Sequence, residues 1–467
     1  MFVGRNHELK QLEQAYHATT SKLVAIYGRR RIGKSFLVEH FTKNKRLLVF
    51  EGLENETTPL QITQFTHDLA LQLKDKVLLH VHFNTWEMVF DYLTDFFSKQ
   101  NHKWVLFLDE FQWLAANQGR LVSLIKKYWD QHWKKQNILL ILCGSVSSYM
   151  VKNVIKSKAL YGRINLEICL GQLYPSEAMK LLRSKRCKEE IFKYLLIIGS
   201  VPKYIDALDP NHSLEKNINT LCFTQNGDLV EEYEKIFYSQ FKEYKTYEQI
   251  IRLLQEGPLD LLSISKALKI PSGGGLLSYL TNLEKALFIT CYTSYEKNLN
   301  SKNKKYKLTD EYLRFYFKYM QKNLKAIKVN ATKNLFNLLV KDQWEPWLGH
   351  AFENFCLKNA EYLATKMGFN DQVISFGPYF KKESSGFQID LIYVRADKTI
   401  TLCEIKYHDR PITTKIIREV EKKCDLLSPF LPRGHTLEKA LISQYGPDKH
   451  LNDANYFHHF LSIKELF

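Results

Sequence analysis

The 467-residue chain is expected to be α/β, with its N-terminal third built on a parallel sheet. Three observations predict this. Five short apolar runs within residues 1–172 are mostly separated by helical patterns, and that alternation gives a parallel sheet with helices on its faces. The stretch from Gly28 to Ser35 reads G-x-x-x-x-G-K-S, between one apolar run and one helical pattern. Near the C-terminus two further apolar runs, 387–394 and 399–407, read as a β-hairpin that carries acids and a lysine.

The first strand is Leu23–Tyr27, an apolar run short enough to be a buried strand. The glycine loop follows it. Gly28 and Gly33 let the backbone turn its N–H groups onto phosphate oxygens, and the helix opening there points its positive end at the same phosphates. Lys34 would reach the β- and γ-phosphates, and the Ser35 hydroxyl would ligate Mg²⁺. Arg29, Arg30, Arg31, Ile32 and Phe36 complete the loop and the first turn of the helix. A chance Gly-Lys turn would lack the flanking strand and helix. The second strand is Leu47–Glu51. The third, Trp104–Asp109, is a Walker B strand: Asp109 would hold the Mg²⁺ shell, and Glu110 would act as general base on the attacking water. The fourth, Ile138–Cys143, runs into Gly144-Ser145, so Ser145 is either a sensor of the γ-phosphate or a turn serine. Arg163, before the fifth strand Leu166–Leu170, is either an arginine finger or a surface arginine.

Residues 173–243 read as a helical lid, with Gly199 and Pro202 as stop signals. Residues 244–325 read as a winged helix and a connecting helix. Its helices are Tyr247–Gln255, Leu261–Leu268 and one opened by Gly273-Gly274-Gly275, with Leu276, Leu280, Leu283 and Leu287 on one face. Strands Phe288–Thr293 and Lys305–Leu308 would flank a wing carrying Lys297, Lys302, Lys304 and Lys305. Those lysines would grip phosphates without reading bases, unless the module serves only for packing.

Residues 326–467 form the last domain. Asp390 lies on the first strand of the hairpin, Glu404 and Lys406 on one face of the second. A three-residue turn, Ala396 to Lys398, sets Asp390 opposite Glu404 on the same face. A four-residue turn puts them on opposite faces. Two converging carboxylates bind Mg²⁺, and a nearby lysine orients water or offsets phosphate charge. Glu353, on a helix upstream, would be the third acid. Alternating charges on a solvated hairpin are the competing reading.

Composition narrows the classes. The formal charge of +16 favours a polyanionic partner, nucleic acid and DNA first, although the excess is spread along the chain. Eight scattered cysteines with no C-x-x-C pair argue against a disulfide framework or a structural zinc site. Apolar runs are too short for a membrane span, and the N-terminus lacks a basic and apolar leader, so a cytoplasmic protein is expected. An arginine acting in trans would require a homo-oligomer.

Phe2-Val3-Gly4-Arg5 with Glu8-Leu9, the triple arginine within Gly28–Ser35, Asp109-Glu110-Phe111-Gln112, Gly144-Ser145, Leu160-Tyr161-Gly162-Arg163 and Gly199–Tyr204 together carry a resemblance. The chain resembles a prokaryotic, archaeal-type ATPase family of the STAND clade, related to AAA+ proteins. That resemblance implies ATP and Mg²⁺ as cofactors and places Val3 and Arg5 near the adenine. Ser200 departs from it, where relatives tend to carry a second glycine. The C-terminal part resembles a domain fused to these ATPases and related to PD-(D/E)XK nucleases, and Glu353, Asp390, Glu404 and Lys406 fall on that motif. The implied function is an ATPase controlling a Mg²⁺-dependent nuclease-like domain. The alternative is an ATP-switched DNA-binding or scaffold protein whose nuclease-like domain is not catalytic.

Overall fold

The computed structural model describes residues 2–116, 118–145, 149–182, 186–240, 244–295, 303–329, 334–381 and 387–467. The chain divides into two compact units, residues 1–172 with 238–244, and residues 173–237 with 245–467.

The first unit is built on β1 (Lys22–Gly28), β2 (Arg46–Glu51), β3 (Trp104–Asp109), β4 (Ile138–Ser145) and β5 (Ile164–Leu170). All pairings are parallel, in the order β2-β3-β4-β1-β5. The central β4 is buried along its whole length, as an unbroken apolar run requires. The edge strands β2 and β5 instead mix buried and exposed positions. Helices cover the faces. In Trp86–Ser98 the Thr85 side chain caps the first turn, and Trp86, Val89, Phe90, Leu93 and Phe97 recur at helical spacing on the buried side. Phe90 meets Trp133 edge-on at 5.0 Å, and Phe50 of β2 stacks on Phe65 at 3.6 Å. Because every strand runs the same way, all carboxyl ends share one rim. Gly28 lies beside Ser145 there, and Glu51 beside Asp109.

In the second unit the helix Lys188–Ile198 stops at Gly199, whose φ is 69°, and Pro202 opens the next helix. The segment expected as a lid packs within this unit: Phe192 meets Phe352 and Phe355 of the helix Trp344–Lys358 edge-on, at 5.8 and 4.9 Å. Helices Tyr244–Leu254, Leu261–Leu268 and Gly274–Lys285 accompany a small antiparallel sheet. Its strands are β6 (Leu259–Asp260), β7 (Ile289–Thr293) and β8 (Lys304–Leu308), ordered β6-β8-β7. Leu276, Leu280 and Leu283 are buried on the third helix. Leu287 falls past its end, at φ 61°.

The C-terminal sheet holds β9 (Val373–Lys381), β10 (Phe387–Arg395), β11 (Thr399–Lys406), β12 (Thr436–Ser443) and β13 (His459–Ser462). Its order is β13-β12-β11-β10-β9, antiparallel across β9, β10 and β11 and parallel from β11 to β13. One face buries Ile389, Ile400 and Leu402 against Ile416, Val420 and Leu427 of the helix Ile416–Leu427. The other carries Tyr393, whose hydroxyl donates to Ala360 O at 2.7 Å. The pair Val394–Ile400 leaves Ala396-Asp397-Lys398 as the turn. Of the two registers open from sequence, the three-residue one is present. After β7, Tyr295 bridges to Tyr379 and accepts the Phe380 N–H at 2.9 Å, which covers the free edge of β9.

Candidate functional site: the phosphate loop and the C-terminal carboxylates

The rim of the first sheet carries one cluster. β1 ends on Gly28, where a Cβ would stand 2.5 Å from Leu170 O, so the close passage of β5 demands glycine. The loop turns through Arg31 at φ 68° and Gly33 at φ 88°, and the helix Lys34–Thr42 begins at once. Lys34 is buried, and its ammonium donates to the loop's own carbonyls, Gly28 O at 3.4 Å and Arg29 O at 3.1 Å. Ser35 Oγ donates to Asp109 Oδ2 at 2.5 Å, while Asp109 Oδ1 accepts the Glu110 N–H at 2.9 Å. A hydroxyl beside a carboxylate is a hard oxygen pair that suits Mg²⁺. Glu110 sits at φ 42°, a left-handed backbone that turns its side chain out of the strand. Ser145 Oγ, at the end of β4, is buried and has no hydrogen-bond partner among the described residues. Lys34, Ser35, Asp109, Glu110 and Ser145 therefore share one rim, as their strands require.

The remaining expected residues separate. Arg29 and Ile32 are buried under the loop, and the Arg30 guanidinium lies 5.2 Å over Trp113. Phe36 is exposed and leans on Phe2 at 5.6 Å, with Val3 half-buried next to it in the chain. Arg5, expected beside the adenine, is only 6% exposed. It donates to Gly171 O at 2.7 Å, Ile32 O at 3.3 Å and Gln172 O at 3.5 Å, so it braces the loop. Arg163, one of whose two readings was an arginine finger, lies at the other end of the sheet. It precedes Ile164, the partner of Leu23 at the amino end of β1, whereas the phosphate loop leaves the carboxyl end. Five strand residues at ~3.3 Å each put it roughly 16 Å or more from that loop. Its guanidinium is also paired with Asp130 at 2.8 and 2.7 Å, which holds the Asp130 carboxyl down at about 2. Arg163 is therefore out of reach of its own chain's phosphate loop.

Two rim residues carry no role in the sequence, where Glu51 only ends a strand and Gln112 only completes a motif. Glu51 ends β2 beside Asp109 and is exposed; partial desolvation, then the charges of Asp109 and Glu110, raise its pKa. Its place at the carboxyl end of a parallel strand was the available clue. Gln112 donates through Nε2 to Glu110 Oε2 at 2.5 Å.

A second cluster lies on the C-terminal sheet. Continuing the β10–β11 register from Leu391–Cys403 brings Asp390 opposite Glu404. Burial first, then Glu404 and Glu353, push the Asp390 carboxyl up to about 6. Glu404 is wholly buried. Lys423, on the helix Ile416–Leu427, donates to its Oε2 at 2.5 Å, and Lys406 Nζ stands 3.0 Å from its Oε1 without hydrogen-bond alignment. Lys406 also reaches Glu419 at 3.1 Å. Lys307 of β8 feels the charges of Glu353 and Asp390, though burial, with the nearby Arg314, pulls its ammonium down to about 8. Lys423 and Lys307 were invisible in the sequence, because only tertiary packing brings them to the acids. Among the described residues no three His, Cys, Asp or Glu side chains are placed to hold a metal ion. Glu353, Asp390 and Glu404 thus do not form the expected metal centre as they stand, since two ammonium groups occupy Glu404. Of the expected wing lysines, Lys297 and Lys302 lie outside the described residues, and Lys304 donates to Thr293 Oγ1 at 3.3 Å.

Residues 2–208 match the family model described as an ATPase domain predominantly from Archaea. The N-terminal part of the chain thus resembles archaeal-type ATPase domains, in keeping with the Gly28–Ser35 loop on the rim of its parallel sheet. Residues 316–421, beyond the ATPase domain, match a model described as archaeal and bacterial proteins of unknown function. An uncharacterized protein of Methanocaldococcus jannaschii is 26% identical over 435 residues, 91% of this chain and 92% of that one. An uncharacterized ATP-binding protein of the same organism is 43% identical over 47 residues, 10% of this chain and 80% of that one. A solved Walker-type ATPase of Pyrococcus abyssi is 18% identical, covering 67% of this chain and 95% of its own, with a TM-score of 0.48. No helix among the described residues is long and apolar enough to cross a membrane.

Proposed function

We propose that the chain is an ATP-hydrolysing switch that controls a nuclease-like C-terminal domain acting on nucleic acid, with DNA the favoured partner. The observation that carries the first half is the Ser35–Asp109 contact beside Lys34 and Glu110 on one rim. An incoming triphosphate would draw the Lys34 ammonium off the Gly28 and Arg29 carbonyls, an exchange of partial charges for full ones. Ser35 and Asp109 would hold Mg²⁺, which would offset phosphate charge. Glu110 would take the proton of the attacking water, and Ser145 would report on the γ-phosphate. Val3 would contact the base. The nucleotide state would then bias the chain between two arrangements.

Three helices with the β6-β8-β7 sheet support a winged helix, in which Lys304 and Lys305 would meet phosphates. The β10–β11 hairpin bearing Asp390, Glu404 and Lys406, preceded by the helix bearing Glu353, supports a restriction-endonuclease-like fold. The acids as placed do not fit a divalent ion, so no cleavage step through one is derived. A second reading, a nuclease-like domain that holds nucleic acid or a partner without cutting, is favoured by one observation: Lys423 and Lys406 both occupy Glu404.

One experiment separates the readings. Plasmid DNA and single-stranded RNA are incubated with Mg²⁺ or Mn²⁺, with and without ATP. The nuclease reading predicts cleavage by wild type and none by Asp390→Ala, both proteins hydrolysing ATP equally. Intact substrate with ATP-dependent DNA binding by wild type supports the non-catalytic reading. Equal cleavage by both proteins refutes the assigned site.

A further inference from the structure

We propose that Gln112 is a positioning residue for ATP hydrolysis: its amide spans the carboxyl ends of β3 and β4 and aims Glu110 toward the phosphate loop. The inference rests on the reading of Glu110 as general base and adds the residue that places it.

Three observations carry it. Gln112 lies in the short helical turn Phe111–Leu114 after β3, yet it is only 5% exposed. Its Nε2 donates to Glu110 Oε2 at 2.5 Å. Its Oε1 is buried without a hydrogen-bond partner among the described residues and lies against Gly144, where a Cβ would overlap it. The amide therefore reaches from Glu110 to the end of β4.

The direction of that reach decides its role. In the sheet β4 lies between β3 and β1. Leu108 pairs with Leu142, which brings Glu110 level with Gly144, and Gly144 pairs with Tyr27, one residue before the glycine loop. Drawing Glu110 toward β4 thus draws it toward the loop. Glu110 itself sits at φ 42°, where strand geometry no longer dictates its direction, so a side-chain tether has something to fix. As a packing residue Gln112 would be a poor choice. A leucine of similar size would fill the space and leave no orphaned amide oxygen. Gly144 fits the same account, because any side chain there would push the amide aside.

The test uses the full chain and steady-state ATPase kinetics. Gln112→Leu is expected to lower kcat about tenfold, with the KM for ATP and the affinity for a fluorescent ATP analogue within twofold of wild type. Glu110→Gln is expected to lower kcat at least a hundredfold, and adding Gln112→Leu to it should cost nothing more, because the second residue acts only through the first. Gly144→Ala should reproduce the loss of Gln112→Leu. Gln112→Asn keeps the amide but cannot reach Glu110, and should show the same loss with wild-type amide hydrogen exchange in β3 and β4, which keeps the test decisive if the leucine variant folds poorly. Wild-type kcat in Gln112→Asn, or losses that multiply in the Glu110→Gln background, would overturn the proposal. Wild-type kcat in Glu110→Gln would instead overturn the reading beneath it.

Discussion

Replacing Asp390 by asparagine should stabilise the second unit at neutral pH, although it deletes a charge next to two lysines. The Asp390 carboxyl stands at about 6 against an ordinary 3.8, raised by burial and then by Glu404 and Glu353. The folded chain therefore binds this proton more tightly than the unfolded chain does. Between pH 3.8 and 6 stability falls as pH rises, below that window nothing is lost, and above it the whole cost is present. A window roughly two pH units wide, at about 1.4 kcal/mol per unit, sets a ceiling of about 3 kcal/mol at pH 7.5. Asparagine is neutral throughout and can still accept the Ile405 N–H, so it should recover most of that ceiling at pH 7.5 and almost none near pH 4. With two compact units a single unfolding midpoint is ill-defined, so the assay is amide hydrogen exchange of β10 and β11 peptides at both pH values. Exchange in Asp390→Asn equal to or faster than wild type at pH 7.5 would refute the reasoning, since the acids would then not be strained against one another.

Other outcomes follow from the same geometry. Lys423→Met leaves the buried Glu404 with Lys406 alone. Stripping one partner from a buried pair costs ~3–5 kcal/mol, and the remaining lysine should hold the loss to about 2 kcal/mol. Unchanged exchange in β11 would mean that the contact does not form in solution. Arg163→Ala removes a partly exposed pair with Asp130, worth ~1 kcal/mol or less, and should leave ATP affinity unchanged. A large fall in affinity would contradict its placement at the far end of the sheet.

The parallel sheet was legible because its signals are local. Leu23–Tyr27, Gly28–Ser35 and the following helix occupy one continuous stretch, and Trp104–Asp109 carries its apolar run and its acid together. The C-terminal hairpin was half legible: period two placed Glu404 and Lys406 on one face, but only the three-residue turn, with Lys398 at φ 62°, decides that Asp390 joins them. Arg163 stayed open between an arginine finger and a surface arginine because its motif says nothing of which end of the sheet it occupies. That depends on the direction of β5. Lys423 stands 19 residues beyond Glu404 on a different element, and Lys307 nearly a hundred before it. No periodicity connects such residues, and they meet only when helix and sheet close around a shared core. Gln112 was visible inside its motif, but its bond to Glu110 depends on the left-handed turn at φ 42°.

The central claim is that a triphosphate with Mg²⁺ settles between Lys34, Ser35 and Asp109. Isothermal titration of Mg²⁺–ATP into the full chain tests it most directly. The account predicts a saturable one-to-one heat for wild type that Lys34→Ala abolishes while its fold, read by circular dichroism, is unchanged. No heat from folded wild type, or an equal heat from Lys34→Ala, would contradict it.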